Sequence, residues 1–278
     1  MRAPRRLFAV HGIGLIVLLG VLVTGSPTPA VGQEETMRAG LINLDHLLYL
    51  TEPVRFAGQP MAIVHIYSEY PDYEWVDAAG EGIAAVDDVA RAAIVYLWYY
   101  ELTGDERALE NARLCLEFVR YMQNDDGTFY NFVLDDQGTI NTDGKTSYKS
   151  LGWWAVRGLW ALAEGYRVFS SVDPAYAAEL QASYRLTETA LAAAYSGHYG
   201  EYNLVHGHRV PAWIPNGAAD ESSIALQAFS TYYRANPNPQ TKALIEYLAD
   251  GIAQYHLGDS LTYPFGMHPV TTNAHGYW

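Results

Sequence analysis

Cysteine and basic residues are scarce in this chain. Only one of its 278 residues is a cysteine, so an intrachain disulfide is excluded. Lysine and arginine total 17 against 31 acidic residues, a formal net charge of -14. Nucleic acids and anionic membranes bind basic surfaces, so this balance argues against both as partners. The chain also lacks a glycine-rich phosphate loop and a Gly-x-Ser-x-Gly elbow, and we predict neither a cofactor nor serine hydrolysis.

The lone cysteine, Cys115, lies between two leucines in a segment whose spacing predicts an outer helix. A free cysteine in such a setting behaves as a small apolar residue, and its packing matters more than its reactivity. We therefore expect Cys115 to fill space in the core and not to act as a nucleophile.

The first 32 residues have the pattern of a secretory signal. A start with three arginines precedes an apolar run over residues 7–23, and a small-x-small cleavage site follows at residues 30–32. We expect a secreted or periplasmic protein with a mature domain over residues 33–278. The alternative is an uncleaved membrane anchor, because the apolar run is close to the shortest length that spans a bilayer.

One helical hairpin is repeated three times, over residues 86–124, about 150–196 and 219–258. Each copy is interrupted by a short run of turn-forming residues, at positions 103–105, 170–174 and 236–239. The first helix of each copy is apolar on most sides and the second is amphipathic, which predicts inner helices surrounded by outer ones. Such repeats must stack to bury their apolar faces, and we expect all the long loops at one end.

The apolar inventory is rich in aromatic residues, with 22 tyrosines and seven tryptophans against five methionines. Aromatic rings with polar edges suit a site that stacks on sugar rings. A glycine-marked aromatic segment follows each outer helix, at residues 127–132, 200–204 and 261–266. Each is predicted to form a short ribbon or extended loop.

The segment before the first hairpin is predicted to contain one helix over residues 37–50, ended by Pro53. Residues 54–85 are predicted as loop with one short strand at 61–67. This loop has too many aromatic and acidic residues for a passive linker: Tyr67, Glu69, Tyr70, Tyr73, Glu74, Trp75, Asp77 and Glu81.

Two stretches carry a family resemblance. Residues 82–92 read G-I-A-A-V-D-D-V-A-R-A, which resembles the start of an inner helix in the six-hairpin glycosidase superfamily, whose fold is an (α/α)6 toroid. Residues 129–132 followed by 157–162 are similar to the F-x-N-F … G-R-A-L-W-A-L-G stretch of helical-toroid domains found near mannoside-processing enzymes and glycosyltransferases. The resemblance implies an all-α fold of helical hairpins and a carbohydrate partner. Residues 148–150 read Tyr-Lys-Ser where those domains commonly have an acidic pair.

A closed toroid of this class has six hairpins, whereas this sequence supplies a leading helix and three full hairpins. We therefore expect a partial (α/α)6 domain whose inner apolar faces are uncovered. Residues expected on those faces are Leu97, Trp98, Leu226 and Phe229. Exposed apolar area of this kind predicts self-association.

Glycoside cleavage needs a proton donor and a second carboxylate. Asp87 and Asp88 begin the first inner helix, where we expect one of them to be the N-cap and choose Asp88 as catalytic and Asp87 as substrate-binding. Arg91, on the same helix face as Asp88, is expected to pair with that carboxylate and keep its pKa low. Asp220 and Glu221 begin the third inner helix in the same way. There we expect Asp220 to cap and Glu221 to be catalytic.

Other residues are second choices or binding candidates. Glu69 and Asp77 are alternative acids. His206 and His208 have a two-residue spacing that is compatible with metal binding from a strand, but no third ligand is evident, so we predict substrate hydrogen bonding and no metal. Aromatic candidates for substrate binding are Trp75, Tyr130, Trp153 and Trp213; we expect one of Trp153 and Trp154 to face the mouth, and Trp213 to be exposed between two prolines.

Three hypotheses about function follow. The first is a glycoside hydrolase-like domain that acts through Asp88 and Glu221 in an aromatic-lined cleft. The second is a glycan-binding toroid without catalysis. The third is an epimerase- or lyase-type enzyme that uses His206 or His208 as a base.

Overall fold

A computed structural model of the protein describes residues 40–205, 208–254, 256, 258–262 and 265–266. The predicted signal segment, His206 and the last residues of the chain lie outside this part. In chain order the elements are α1 Asp45–Leu50, β1 Thr51–Phe56, β2 Gln59–Val64, β3 Tyr67–Glu69, β4 Glu74–Val76, β5 Ala84–Ala85, α2 Val86–Thr103, α3 Glu106–Tyr121, β6 Phe132–Val133, α4 Trp153–Val172, α5 Pro174–Tyr195, β7 Tyr202–Val205, β8 His208–Pro211, α6 Ala219–Ala235 and α7 Pro239–Gln254. The strands form four separate two-stranded antiparallel pairs, and the fold is mostly helical.

The three predicted hairpins are confirmed as α2–α3, α4–α5 and α6–α7. Their short turns follow from local chemistry. Helix α2 ends at Gly104, whose φ of 71° suits glycine, and Asp105 then caps α3 by accepting from the Arg107 amide at 2.9 Å. Asp173 caps α5 and Asn238 caps α7 in the same manner, through the amides of Tyr176 and Thr241.

The three inner helices lie side by side and run in the same direction, with α4 between α2 and α6. Near their starts, Asp87 of α2 forms an ion pair with Arg157 of α4. Near their ends, Glu101 of α2 pairs with Arg167 of α4 at 2.6 Å, and Thr231 of α6 donates to Glu164 of α4 at 3.2 Å. The starts of all three helices therefore meet at one end, where the long loops are, as predicted.

The core forms between the inner helices and one face of each outer helix. The predicted stripe on α3 is buried, since Leu109, Ala112, Leu116 and Val119 are each at most 6% exposed. Cys115 is completely buried beside it, and burial raises the pKa of its thiol to about 12. The expectation that this cysteine is a core residue is confirmed.

The segment before α2 differs from its prediction. Its helix is short, Asp45–Leu50, and Pro53 does not end it but pairs with Ala62 inside the β1–β2 hairpin. Instead of one strand there are two hairpins, β1–β2 and β3–β4. The first turn is formed by Ala57 and Gly58, both at positive φ. Alanine rarely adopts this conformation, so the sequence contained no strong hairpin signal.

The inner surface of the helices is only partly uncovered. Leu97 and Phe229 are buried, so their expected exposure is wrong, because both belong to the hydrophobic core. Trp98 is 47% exposed and contacts Trp160 edge to face, at 6.0 Å between ring centroids. These two rings, with Leu226 and polar residues of α6, line an open groove. Self-association through this surface stays a prediction.

No helix in the described part of the chain combines the length and the apolar character that crossing a membrane requires.

Two glycines with similar backbone angles give a matched test of the packing. Gly104 has a φ of 71° and open space around it, whereas a Cβ on Gly127, with a φ of 81°, would lie 2.4 Å from the Leu186 carbonyl oxygen of α5. We expect Gly104→Ala to lower the free energy of unfolding by about 1–2 kcal/mol through backbone strain alone. Gly127→Ala adds an overpacked contact and should cost about 2 kcal/mol more.

The measurement is urea denaturation of both variants, compared through their midpoints. Equal losses at the two positions would contradict the close approach of the 127–132 loop to α5.

Candidate functional site

The starts of the inner helices form the mouth of the molecule. The residues before the helices, Ala85, Gly152 and Ala218, are the N-caps, and none provides a side-chain cap. The amides of the first turns therefore need other hydrogen-bond acceptors. Acidic side chains of α2 and α6 lie in these first turns.

Asp87 and Asp88 do not cap α2, so the expectation that one of them is the N-cap is wrong. The helix starts one residue earlier, at Val86. Asn131, in the loop after α3, takes over the capping: its carbonyl oxygen accepts from the Val86 amide at 2.8 Å and its Oδ1 accepts from the Asp87 amide at 3.4 Å. Both carboxylates are thereby left for other partners.

Two arginines form ion pairs with these carboxylates. Arg91 pairs with Asp88, as predicted, and its Nε also donates to the Asp87 carbonyl oxygen at 3.1 Å. Arg157, which reaches across from α4, pairs with Asp87. The guanidinium of Arg157 lies over the Trp153 ring, 5.0 Å from its centroid. Asp87 and Trp153 are therefore connected through a single arginine.

The pKa of Asp88 is raised, which corrects the expectation of a low value. Burial raises it most, and the charge of Asp87 adds to this, while Arg91 and Arg157 act in the opposite direction. The arginine effect was anticipated. The burial of Asp88 was not anticipated, because it depends on segments that pack around the start of α2.

Glu221 has a different environment. It is buried, with 6% of its surface exposed, and its Oε2 accepts a hydrogen bond from Asn216 Nδ2 at 2.7 Å. Burial raises the pKa of Glu221 to about 7, with a small contribution from Asp220, while the Asn216 hydrogen bond opposes the rise. This carboxyl group is therefore partly protonated at neutral pH.

Asn216 positions Glu221 from the turn that precedes α6. Its φ of 52° is left-handed, a conformation that asparagine tolerates better than most residues. Its Oδ1 accepts from the Tyr195 hydroxyl at 3.4 Å, so the side-chain amide lies between Tyr195 and Glu221. Asp220 is not the N-cap that we expected. It is the second residue of α6, and its Oδ1 accepts from the Glu221 amide at 2.9 Å.

The start of α4 lies against both acidic groups. Arg157 contacts Asp87 on one side, and Gly152 lies beside Glu221 on the other. A Cβ on Gly152 would be 2.8 Å from Asn216 Nδ2 and 3.2 Å from Glu221 Oε2. Glycine at this position lets the chain pass close to the carboxyl group.

The aromatic candidates are distributed unevenly. Trp153 is partly exposed and contacts Arg157, whereas Trp154 is buried and donates from Nε1 to the Phe129 carbonyl oxygen at 2.8 Å. Tyr130 is half-buried and precedes the capping Asn131. Trp75 is 41% exposed and stacks on His65, with the ring centroids 3.8 Å apart.

Trp213 is not an exposed platform, so that expectation is wrong. The ring is 1% exposed, and its Nε1 donates to the Tyr247 carbonyl oxygen at 3.0 Å. Tyr199 and Tyr202 pack against it at 5.0 and 5.4 Å between centroids. The flanking prolines stiffen the loop, but the loop folds inward onto α7. We do not propose Trp213 as a binding residue.

Sequence reasoning missed Arg157, Asn131 and Asn216 as parts of the site. Arg157 had a usable signal, since it is a charge among the apolar residues at the start of an inner helix, and such a charge needs a partner. Asn131 and Asn216 lie in loops, where asparagine is common, so the sequence alone did not mark them.

Metal binding finds no support in the described part of the chain, where no group of three or more histidine, cysteine, aspartate or glutamate side chains is arranged to hold an ion. His206 lies outside that part.

No protein-family model matches the chain, and a search of curated proteins found no match. Solved structures do share its fold. Cellobiose 2-epimerase from Spirochaeta thermophila matches with a TM-score of 0.58 at 15% identity, over 81% of this chain and 54% of that one. A sugar epimerase from a ruminal bacterium matches with 0.55 at 15% identity, over 79% and 54%.

A family 76 glycoside hydrolase, an α-mannanase from Bacteroides thetaiotaomicron, matches with a TM-score of 0.51 at 10% identity, over 78% of this chain and 54% of that one. These proteins have the six-hairpin glycosidase fold, so the predicted fold is confirmed. This chain spans about half the length of the structures it matches.

The raised pKa of Glu221 predicts a pH-dependent stability. In the unfolded chain a glutamate titrates near pH ~4.3. The folded protein holds its proton up to about pH 7, so the stabilisation is complete below the unfolded pKa and is lost as the pH rises through the folded one. Between pH 5 and 8 we expect the wild type to lose on the order of 2 kcal/mol more than Glu221→Gln, which cannot titrate.

Urea denaturation of both proteins at each pH measures this difference. Parallel pH profiles for the wild type and Glu221→Gln would show that the carboxyl group titrates normally.

Proposed function

We propose that this protein is a carbohydrate-active enzyme that hydrolyses a glycosidic bond at the mouth formed by α2, α4 and α6. The observation that carries the proposal is the pair of unlike carboxyl groups in the first turns of α2 and α6. Glu221 is buried with a pKa of about 7, and Asp88 is paired with an arginine. The shared fold of glycoside hydrolases and sugar epimerases supports the substrate class.

The proposed chemistry assigns one role to each group. Glu221, protonated near neutral pH, donates its proton to the glycosidic oxygen as the bond to the anomeric carbon breaks. Asp88, which is paired with Arg91, provides the second carboxylate: it either activates the water that attacks the anomeric carbon, or attacks that carbon itself to form a glycosyl-enzyme that water then hydrolyses. Asn216 is a positioning residue, because it holds the Glu221 carboxyl group by one oxygen.

Substrate binding is assigned to residues around these two groups. Trp153 offers a partly exposed ring at the start of α4, next to Arg157 and Asp87. Tyr130 lies on the loop that caps α2, and Trp75 lies on the β3–β4 hairpin beside it. Rings at these positions suit the C–H faces of a sugar, with the charged groups meeting its hydroxyls.

Two alternatives predict different products. A glycan-binding protein without catalysis would bind oligosaccharides and leave them unchanged. An epimerase- or lyase-type enzyme would convert the sugar without hydrolysis and would depend on His206 or His208. Two epimerases among the similar structures make this second alternative worth a direct assay.

The test is a panel of neutral oligosaccharides and aryl glycosides, with products followed by reducing-end release and by nuclear magnetic resonance. We expect hydrolysis with a bell-shaped pH dependence of kcat/KM, falling above about pH 7 as Glu221 loses its proton. Glu221→Gln and Asp88→Asn should each lower kcat/KM by roughly 10²-fold or more, with little loss of stability.

Glu246→Gln is the matched control. It makes the same chemical change on the outer helix α7, where Glu246 pairs with Lys242 at the surface, and should retain full activity. Binding without turnover would favour the glycan-binding alternative. Epimerised or unsaturated products that vanish in His206→Asn and persist in Glu221→Gln would overturn the hydrolase proposal.

We also propose that the protein is exported and that its mature domain begins near Gln33. The basis is the sequence of the first 32 residues. We expect mass spectrometry of the exported product to find Gln33 at the N-terminus. An intact Met1 in the membrane fraction would instead support the uncleaved anchor.

A further inference from the structure

An exposed aromatic surface lies on α1 and the β3–β4 hairpin. We call it the aromatic platform, and its members are His46, Tyr49, Tyr70, Tyr73 and Trp75. Successive rings are in contact, with centroids 5.6 to 6.2 Å apart. The tyrosines are 45% to 83% exposed and the tryptophan 41%. Contiguous exposed apolar patches are uncommon on folded proteins, and a patch of this kind often marks an interaction site.

The strand register puts Trp75 on the face of its hairpin that meets α1. Trp75 is opposite Ser68, whose hydroxyl lies 3.5 Å from His46 Nε2. Tyr67 is opposite Val76, one position along, and therefore projects from the other face. Tyr67 is 54% exposed and is not among the platform's ring contacts, so it provides a matched control.

The platform is held in place from behind. His65 stacks on Trp75 at 15° between the ring planes, and His65 Nε2 is 2.8 Å from Glu52. The Tyr49 hydroxyl donates to the Tyr73 carbonyl oxygen at 2.7 Å, which ties α1 to the hairpin. Rings fixed before binding lose little conformational entropy when a ligand stacks on them.

The backbone conformation of Tyr73 lowers the stability of the folded protein. Its φ is 56°, a left-handed conformation that is unfavourable for a bulky side chain and natural for glycine. The ring is half exposed, so its burial does not compensate fully for this strain. Strain kept at an exposed aromatic residue points to a role in binding.

The chemistry around the platform selects its ligand. Glu69, Asp72 and Glu74 are exposed nearby, and the whole chain is strongly acidic, so a polyanion would be repelled. Flat, open aromatic faces with hydroxyls at their edges suit the faces of sugar rings. The platform is also connected to the start of the first inner helix, because His65, which stacks on Trp75, forms a backbone bridge with Ala84, just before α2.

We propose that the aromatic platform binds a neutral glycan chain and delivers it to the mouth, so that the protein prefers polymers to short oligosaccharides. The choice of ligand rests on the proposed function. The platform shares Trp75 with the binding residues proposed for the mouth, but it contains neither catalytic candidate. Tyr70 and Tyr73 belong to the platform alone, which makes the two proposals separable by experiment.

The experiment measures binding of the full-length protein to soluble mannan, β-glucan and xylan by affinity electrophoresis, with polygalacturonate as the polyanion. We expect at least one neutral polymer to bind and polygalacturonate not to bind. Tyr73→Gly and Tyr70→Ala should each weaken polymer affinity about 10-fold, in line with the loss of one stacked ring. Tyr73→Gly should also be at least as stable as the wild type, which rules out misfolding as the cause. Tyr67→Ala should bind as the wild type does.

Further outcomes separate this inference from the proposed function. Polymer binding that depends on Tyr73 and persists in Glu221→Gln supports the platform, even if hydrolysis is never found. Normal turnover of a short aryl glycoside in Tyr73→Gly also supports it. The inference is overturned if no neutral polymer binds, if Tyr73→Gly and Tyr70→Ala bind like the wild type, or if Tyr70→Ala only abolishes association between copies of this chain.

Discussion

The packing of α4 between α2 and α6 is the constraint on which the rest of the structure depends. Helix α4 is buried on most of its sides, so it is stable only with a helix on either flank and an outer helix behind it. Because α4 runs parallel to both neighbours, the starts of the three helices meet. Asp87 and Glu221 are far apart in the chain, yet both therefore lie beside the start of α4. Asp87 contacts Arg157, and Glu221 lies next to Gly152.

The two acidic positions at the mouth differ because their partners differ. Asp88 is paired with Arg91, which favours its charged form against the opposing effect of burial, and Asp87 is paired with Arg157. Glu221 is buried, which favours its protonated form, and the single neutral hydrogen bond from Asn216 only partly opposes this. Neither setting arises from the helix start itself, since all three N-caps lack a side-chain cap. Burial, the arginines of α2 and α4 and the loop residue Asn216 together set the difference between the carboxyl groups.

Sequence reasoning succeeded where the signal was local or periodic. The hairpins, their short turns, the inner and outer character of the helices, and the Asp88–Arg91 pair were all predicted. It failed where a segment distant in the sequence made a contact that local residues were expected to make, or buried a residue that was expected to be exposed. Asn131 replaced Asp87 and Asp88 as the cap of α2, and the loop at Trp213 folded inward onto α7. The β1–β2 hairpin was missed because its turn uses an alanine at positive φ.

The sequence by itself determined the mostly helical fold, the three hairpins and the end of the molecule at which acidic and aromatic residues gather. Apolar periodicity and turn residues act over a few neighbouring positions, so they can be read in order along the chain. Only the tertiary structure decided which carboxyl group is buried, which arginine reaches which aspartate and which tryptophan stays exposed. Burial and ion pairing depend on the segments that pack around a residue, and those segments lie far from it in the sequence.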